Sequence, residues 1–532
     1  MSGMGIYGLS GSGIDVDSMV RMGMMTRQNE YDKMYKKEVR NEWTKEAYAD
    51  MYSDLNKFNS VTMSTYKMSS TSNPQTVSST NTAVATATAN ADAAQMTHTL
   101  TVNSMASNAY LLTGAEGIKR ESSATSKSIY LSDVLGAGAL NPGEALTMEV
   151  SDGDKTATLK LTYEQIYSNN QTLNDLASAL KKLKNDDGDS LNLSASYDAT
   201  NDAFTIYNKD SGSANKISIK PLDDKAALLM DNLNLHSVDG GTMKTAEETF
   251  AVNTATEVAG KDASVTIDGR EYTNLTSNKV TVSNVTYSFQ SVGTSTMTVS
   301  QDTDKIIENV KKFVEDYNKM LDALNEKYYE EKYRDYDVLT QTQEKGMTKE
   351  QIDKWNEKAK SGLLNHNQTI GKLISQMREA IYTPVESVDS KYNTMMSIGV
   401  SSSTDRGHLT LDEEKLKKAL AADPDCVYQL LTSSGEKTDK NGNSYTDYNS
   451  EGVAQRIGDK VVDILKEMKD YAGTSTEDDS STLGNLIRDM KTKMSNFKVM
   501  MSAYESLLYK KYDAMETAIQ RLTYQSGYIT GQ

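Results

Sequence analysis

About the last fifty residues constrain the fold most, because their apolar residues recur in alternating steps of four and three. Such spacing places one apolar stripe along a continuous helix, as in a helix that packs against a partner helix. The stripe consists of Leu483, Ile487, Met490, Met494, Phe497, Met501, Tyr504 and Leu508 and, after one stutter, Tyr512, Met515, Ile519 and Leu522. A helix of about forty-five residues is roughly 65 Å long. We therefore expect it to extend beyond any compact domain and to need a partner.

The N-terminal region predicts a second long helix, from Val16 to about Tyr66. Asp15 can cap its first turn, and Asp17 lies where the helix dipole favours a negative charge. The apolar stripe of this helix is thin, and its other faces carry many Lys, Glu, Asp and Asn residues. Because such a helix is marginal by itself, we expect a neighbouring element to order it.

Residues 76–300 change to the period-two pattern of β-strands. His98, Leu100 and Val102 alternate with threonines, which predicts a half-buried strand. Further alternating pairs are joined by turns rich in Asp and Gly, and Thr172 with Asp175 has the spacing of a capping box for a short helix. This block is predicted to form one or two small β-rich domains inserted between helices.

Helices return at Asp304, with a second stripe in steps of four and three. Its members are Ile306, Val310, Phe313, Tyr317, Met320 and Leu324. Beyond it, the sequence predicts a helix capped by Thr348 and Gln351, a hairpin over 398–411 and a helix capped by Thr410 and Glu413. A polar loop is expected over 433–450, before the last two helices.

The fold class expected from these patterns is a multidomain α+β protein. Long antiparallel terminal helices form a coiled-coil stalk or helical bundle, and β-rich head domains are inserted between them. The expected domains are an N-terminal leg segment 1–45 with a C-terminal leg helix 500–532, an N-terminal stalk helix 46–75 with a helical stalk domain 301–499, an inner β head domain 76–112 with 246–300, and an outer head domain 113–245.

Composition excludes several classes of function. The net charge is −17, and no Lys/Arg run is interleaved with aromatic residues, which argues against nucleic acid as a partner. No window approaches the roughly 18 apolar residues of a membrane span. The Gly- and Ser-rich start lacks the basic and apolar regions of a cleaved signal peptide. A single cysteine, Cys426, excludes an intrachain disulfide.

No motif indicates catalysis, a metal or a cofactor. The four histidines are scattered, and none lies in an HExxH motif or at ligand spacing with the cysteine. The Asp439 loop resembles a calcium loop, but Gly442 and Glu451 miss the EF-hand positions, so a turn is the better interpretation. There is no P-loop, GxSxG or dinucleotide fingerprint. We therefore expect a protein that is not an enzyme, with no catalytic, cofactor-binding or metal residues.

Several segments carry a resemblance to a known family. They include Ser12-Gly-Ile-Asp-Val-Asp-Ser-Met-Val, Phe313-Val-Glu-Asp-Tyr-Asn-Lys-Met-Leu, Gly407-His-Leu-Thr-Leu-Asp-Glu-Glu-Lys-Leu and Gln525-Ser-Gly-Tyr-Ile. In these segments the chain resembles the flagellar filament cap proteins, the FliD family, also called hook-associated protein 2. Residues 146–207 are similar to a small module of flagellins and hook-associated proteins.

The resemblance implies a homo-oligomeric ring, commonly a pentamer, at the distal tip of the bacterial flagellar filament. Such a cap retains exported flagellin and promotes its folding and insertion during elongation. The implied partners are other copies of the chain, flagellin, hook-associated junction proteins and an export chaperone before secretion, without nucleic acid or membrane. The implied location is extracellular, reached through the flagellar type III pathway without a cleaved signal peptide.

The terminal helices are the expected contacts for self-assembly and filament binding. Thin-striped helices can stay unfolded during export and become ordered on assembly. The expected contact residues are Ile14, Met19 and Val20 at one end and Tyr504, Leu508, Met515, Ile519 and Leu522 at the other.

Two alternatives stay open. A flagellin-like or hook-filament junction structural protein would share the terminal helices, but we expect it to lack the GHLTLDEEKLKKAL stretch that begins at Gly407. The head could also serve in adhesion to host glycans or proteins, a role compatible with capping.

Overall fold

A computed structural model describes residues 15–125, 127–388, 390–403 and 405–530, with side chains described up to 526. The chain divides into two compact units. One comprises Met1–Asn73 and Thr303–Gln532, and the other comprises Pro74–Asp302.

The α-helices in chain order are α1 (Val16–Lys57), α2 (Ser64–Tyr66), α3 (Ser69–Ser72), α4 (Leu131–Leu135), α5 (Leu173–Lys181), α6 (Asp224–Asn232), α7 (Thr303–Tyr329), α8 (Gln341–Glu344), α9 (Lys349–Lys360), α10 (Gln368–Tyr382), α11 (Glu413–Ala422), α12 (Cys426–Thr432), α13 (Val453–Ala472) and α14 (Thr482–Thr530). The strands are β1 (Gln75–Ser79), β2 (Ala85–Ala89), β3 (Thr97–Ser104), β4 (Asn108–Thr113), β5 (Ala145–Ser151), β6 (Thr156–Thr162), β7 (Leu193–Asp198), β8 (Ala203–Ser211), β9 (Lys216–Pro221), β10 (Leu235–Asp239), β11 (Thr242–Glu247), β12 (Thr256–Ala259), β13 (Ala263–Ile267), β14 (Arg270–Leu275), β15 (Lys279–Val282), β16 (Val285–Phe289), β17 (Gly293–Gln301), β18 (Val400–Ser402), β19 (Leu409–Leu411), β20 (Ser434–Thr438) and β21 (Ser444–Glu451). Mixed helix and sheet content of this kind confirms the α+β class, whereas the coiled-coil stalk stays a prediction.

The first unit is helical around one large core. The C-terminal half of α1 contributes Tyr48, Met51 and Leu55, which pack with residues of α7, α10, α11, α12 and α13. All six predicted stripe residues of α7 are buried in this core, so that prediction is confirmed. Thr348 and Gln351 form the predicted capping box at the start of α9.

The N-terminal helix begins at the predicted residue. The Ser18 backbone N–H donates to Asp15 Oδ1 at 3.0 Å, which caps α1. The helix continues to Tyr66 as predicted, but a π-helical segment, Phe58–Met63, interrupts it. A π-turn brings residues five apart onto one face. Phe58 and Met63 can therefore both be buried in the core, which an α-helix would not allow.

Two local predictions in this unit are wrong. The expected polar loop over 433–450 is the hairpin of β20 and β21. The buried Arg456 guanidinium explains the hairpin's position, because it donates to the carbonyl oxygens of Tyr448 and Asn449 at 2.9 and 2.7 Å. The cap of α11 is Asp412, whose carboxylate accepts the Lys415 N–H, since Thr410 lies within β19. The predicted hairpin over 398–411 is confirmed as β18 and β19.

The second unit contains two sheet systems. In the first, the sheet β1-β17-β3-β13-β14 faces the sheet β15-β16-β2 across a core that contains Leu100, Val102 and Tyr287. The opposite face of β3 carries threonines, and Thr101 Oγ1 lies 3.0 Å from Thr294 Oγ1 on β17. The predicted alternation of β3 is thus confirmed.

The other system combines the sheets β11-β10-β4-β8-β7 and β12-β9-β5-β6 with α4, α5 and α6. The predicted capping box of Thr172 and Asp175 is present at the start of α5. Since β4 pairs with β8 and β10, and β12 pairs with β9, the two systems divide near residues 105 and 260. The boundary expected after 112 lies inside β4, and the boundary expected before 246 lies inside β11.

Candidate assembly surface on the terminal helices

Helices α1 and α14 form an antiparallel pair. Tyr509 lies beside Asp17, Lys491 beside Glu38, and Asp479 beside Lys45, so the contacts move towards the start of α14 as α1 proceeds. The predicted stripe of α14 is buried or half-buried from Leu483 to Leu508. We call the contact between the two helices the terminal seam.

The outer end of the terminal seam is apolar and small. Val16, Val20 and Leu508 form a buried cluster, with Tyr504 and Tyr512 at its edge. A Cβ added at Gly23 would lie 2.8 Å from Leu508 Cδ1, so this glycine allows the helices to approach closely. A cluster with three fully buried members offers little stabilisation in comparison with a domain core.

Aromatic rings of α14 also make polar contacts with α1. The Tyr509 O–H donates to Asp17 Oδ1 at 2.9 Å. The Arg27 guanidinium carbon lies 4.2 Å from the Tyr504 ring centroid, a cation–π contact. These contacts fix the register of the two helices near the cluster.

The middle of the terminal seam is charged. Lys491 Nζ lies 2.6 Å from Glu42 Oε1 and 3.6 Å from Glu38 Oε1, and the Glu38 side chain is almost fully buried. Burial raises the pKa of Glu38 to about 7; the Glu42 carboxylate adds to the rise, and Lys491 opposes it. Lys491 thus forms ion pairs with two carboxylates at this position.

The inner end of the terminal seam contains a buried lysine. Lys45 Nζ lies 3.0 Å from Asp479 Oδ2, and it also donates to the Glu477 carbonyl oxygen. Only 4% of the Lys45 side chain is exposed, whereas 30% of the Asp479 side chain is exposed. Because a buried ion pair must repay the desolvation of both charges, this contact specifies register more than it stabilises the pair.

On each of the two helices, a side that does not face the terminal seam exposes apolar residues. On α14 these are Val499, Met500 and Leu507, which are 70%, 54% and 60% exposed and lie within about 100° around the helix axis. On α1, Met22 and Met25 are exposed on the side away from the terminal seam. We call these five residues the outer apolar face.

The structure brings together some of the residues that the sequence selected as contacts. Val20 and Leu508 share the buried cluster, with Tyr504 packed against them. Met19, Met515 and Ile519 are half-buried, Leu522 is 63% exposed, and Ile14 lies outside the described residues. None of these placements tests a role in assembly.

Sequence reasoning missed the polar residues of the terminal seam. The neighbouring apolar residues Val39 and Trp43 are only half-buried, whereas Glu38 and Lys45 are buried. Glu38 and Lys45 are seven residues apart, which places them on the same side of a helix whose apolar stripe is thin. This spacing was the signal that could have indicated them. It was overlooked because charged side chains are almost never fully buried without a partner.

The described residues provide no other chemical centre at this surface. No group of three or more His, Cys, Asp or Glu residues among them could hold a metal ion. Burial raises the pKa of the Cys426 thiol to about 12, which keeps it protonated. No helix within the described ranges is long and apolar enough to cross a membrane.

The terminal helix pair and the β-rich insert define a multidomain α+β protein whose first and last described helices pair in one helical unit. Two family models match the sequence: flagellar hook-associated protein 2 N-terminus over 12–109 and flagellar hook-associated protein 2 C-terminus over 260–524. The chain belongs to the flagellar hook-associated protein 2 family, the family of the flagellar cap protein. Both models leave out 110–259, most of which is the second sheet system.

Individual relatives carry the same description. Flagellar hook-associated protein 2 of Halalkalibacterium halodurans is 26% identical over 97% of both chains. The protein of that name from Thermotoga maritima is 24% identical over 50% of this chain and 40% of its own. A solved structure, the D1-D2-D3 domains of the Escherichia coli flagellar cap protein FliD, is 19% identical, with a TM-score of 0.46 over 78% of this chain and 95% of that chain.

Proposed function

We propose that this protein caps the flagellar filament. It assembles as a homo-oligomeric ring at the distal tip, retains exported flagellin and promotes the folding and insertion of each subunit. Family membership supports the flagellar assignment, and the outer apolar face of the terminal helices is the observation that carries the mechanism. No enzymatic step is needed, because retention and ordered release are binding events.

The terminal pair acts as a leg that docks on the filament end. Its buried apolar cluster is small, and charged groups interrupt the stripe of the seam, so the pair by itself is less stable than the core of the unit. Val499, Met500 and Leu507 expose apolar surface that becomes buried when the leg docks. Docking therefore stabilises the helices that make the contact, and the leg can let go when the next subunit inserts.

The remaining partners follow from this role. Flagellin is held under the β-rich part of the ring, the junction proteins precede the cap at the filament base, and an export chaperone covers the terminal helices before secretion. A chain with one cysteine can travel unfolded through the type III channel without breaking a disulfide. The protein then acts outside the cell, and its β-rich part is available for adhesion.

Charge placed on the outer apolar face tests the proposal. The double variant Met500→Lys with Leu507→Lys adds charge at exposed positions, so the fold is retained. We expect secreted protein that no longer labels filament tips in immunogold electron microscopy, with flagellin monomers lost to the medium. Val462→Lys is the matched control, because Val462 is an exposed apolar residue of α13 in the same unit, 50% exposed.

The outcomes separate the alternatives. Normal tip labelling by the double variant, with normal filament length, contradicts a docking role for this face. Label along the shaft or at the filament base in the wild type would favour a flagellin-like or junction protein.

A further inference from the structure

The segment between α7 and α10 forms an open cavity of about 880 Å³. Three aromatic side chains, Tyr333, Tyr336 and Trp355, line it together with Met347. Its polar lining residues include Glu330, Gln351, Lys354, Glu357 and Lys358. We call this cavity the aromatic cleft. Nothing in the capping role uses it.

The rings of the aromatic cleft are held in place before any ligand arrives. Trp355 Nε1 donates to the Asp337 carbonyl oxygen at 2.7 Å. The Tyr336 ring packs on Trp355 with centroids 4.7 Å apart, and Tyr333 meets Tyr336 edge to face at 6.2 Å. Asp337 is itself fixed by ion pairs with Lys36 and Arg40 of α1. A preformed aromatic site loses little entropy when it binds.

An ammonium group already occupies part of the aromatic cleft. Lys358 Nζ lies 4.6 Å from the Tyr336 ring centroid and 5.7 Å from the Tyr333 centroid. It is also 3.3 Å from the Tyr336 hydroxyl oxygen. Both ring distances are within the range of cation–π attraction. Lys358 is exposed, so its ammonium can leave for water at small cost.

The carboxylates of the aromatic cleft favour a cation as well. Glu330 accepts the Gly362 N–H at 3.0 Å and lies 3.7 Å from Lys327. Among the described residues, the Glu357 side chain forms no ion pair or hydrogen bond. Because Lys327 offsets the charge of Glu330, Glu357 is the carboxylate of the lining that can balance a bound cation once Lys358 swings out. The net charge of −17 adds a long-range attraction for cations.

We propose that the aromatic cleft binds an alkylammonium group and that Lys358 is its internal competitor. The ligand is a quaternary ammonium, either a free molecule or a methylated lysine side chain of another protein. Its methyl groups contact the rings of Tyr336 and Tyr333, where the Lys358 ammonium now lies, and Glu357 balances its charge. A quaternary ammonium outcompetes Lys358 because it is easier to desolvate than a primary ammonium.

Fluorescence of Trp355 in the full-length protein tests the proposal. The chain has two tryptophans, so Trp43→Phe leaves Trp355 as the sole reporter. Choline is titrated at constant ionic strength, and its neutral isostere 3,3-dimethylbutan-1-ol is titrated in parallel. We expect a saturable change with choline and none with the isostere. Equal responses to both compounds, or a linear response to choline, would overturn the proposal.

Variants of Lys358 separate a ligand site from a structural cluster. Lys358→Ala removes the competitor and is expected to tighten choline binding about two- to fivefold, since the lost contact is an exposed cation–π interaction. Lys358→Met keeps the cleft filled and is expected not to tighten it. Tyr336→Leu and Glu357→Gln are expected to weaken binding, and circular dichroism confirms that each variant folds. Choline binding that is unchanged in Lys358→Ala, Tyr336→Leu and Glu357→Gln would rule out the cleft.

The source of the ligand is settled by a second titration. Peptides with an unmodified or a trimethylated lysine are compared with choline. Tighter binding of the trimethylated peptide than of choline identifies a protein partner, and tighter binding of choline identifies a small molecule. Equal binding of unmodified and trimethylated peptides would contradict the proposed preference for a quaternary ammonium.

Discussion

The two halves of α1 differ sharply although they form one helix. The second half places Tyr48, Met51 and Leu55 in the large core of the helical unit. The first half meets α14 through a small buried cluster, the buried and half-buried stripe of α14, and the charged groups of the terminal seam. The comparison teaches that continuity of a helix does not imply uniform stability. We therefore expect the seam half to open without unfolding the unit, while the second half stays anchored in the core.

The largest effect should come from the core half. Leu55 is fully buried, so Leu55→Ala leaves a cavity and is expected to lower the free energy of unfolding by about 2–5 kcal/mol. Leu508→Ala, at the cluster of the terminal seam, is the matched comparison and should cost under about 1 kcal/mol of global stability. Urea unfolding followed by circular dichroism measures both. Equal losses would show that the two halves unfold together.

The next effect concerns the buried lysine of the terminal seam. Lys45→Met removes the charge but keeps most of the volume, and leaves Asp479 partly solvated. We expect a local loss on the order of 1–2 kcal/mol, seen as faster hydrogen exchange at the start of α14. Lys36→Met serves as the control, because Lys36 on the same helix forms an ion pair that is more exposed than that of Lys45. Unchanged hydrogen exchange in Lys45→Met would contradict the inference that Lys45 fixes the register of the two helices.

A pH dependence should follow from Glu38. Its pKa is raised from 4.5 to about 7 in the folded protein, so the folded state holds a proton that the unfolded state has released. This contribution to stability is present below about pH 4.5 and is lost as the pH rises through 7. The terminal seam should therefore open more readily at pH 8 than at pH 5.5, by about 2 kcal/mol.

Glu38→Gln is the variant that isolates this group. Glutamine keeps the shape and carries no charge, so hydrogen exchange of α1 should lose most of its pH dependence between 5.5 and 8. Glu30→Gln, at an exposed position of the same helix, should leave the dependence intact. Identical profiles for wild type and Glu38→Gln would contradict the assigned pKa.

The smallest effect is expected at Gly23. Alanine favours the helix by about 1 kcal/mol over glycine, but its Cβ would contact Leu508 Cδ1 at 2.8 Å. A leucine side chain can shift, so the two terms nearly cancel and the change should stay within about 0.5 kcal/mol. Thermal unfolding of Gly23→Ala provides the measurement. A loss above about 2 kcal/mol would show that the terminal seam is as tightly packed as the core.

The elements with strong periodicity were predictable from the sequence, and those set by tertiary contacts were not. The stripes of α7 and α14, the cap at Asp15 and the alternation of β3 follow from local spacing. The π-turn after Lys57 depends on the core around Met63, and the hairpin of β20 and β21 depends on the contacts of Arg456. Neither dependence is visible in the local spacing of residues.

The candidate site was predictable only in part. Val20, Leu508 and Tyr504 lie on apolar stripes, so spacing alone selects them. Glu38 and Lys45 escape such reasoning because their burial depends on partners more than 400 residues later in the chain, Lys491 on α14 and Asp479 just before it. The outer apolar face is likewise visible only once the terminal seam shows which side of each helix is covered.

Hydrogen exchange on the isolated protein and on the protein bound to filament ends tests the central claim most directly. We predict that amides of 16–45 and 490–526 exchange well before those of 48–57 in the isolated protein, and that filament ends protect them strongly. Equal protection of all three segments in the isolated protein, with no gain on addition of filaments, would contradict a weakly held leg that docking stabilises.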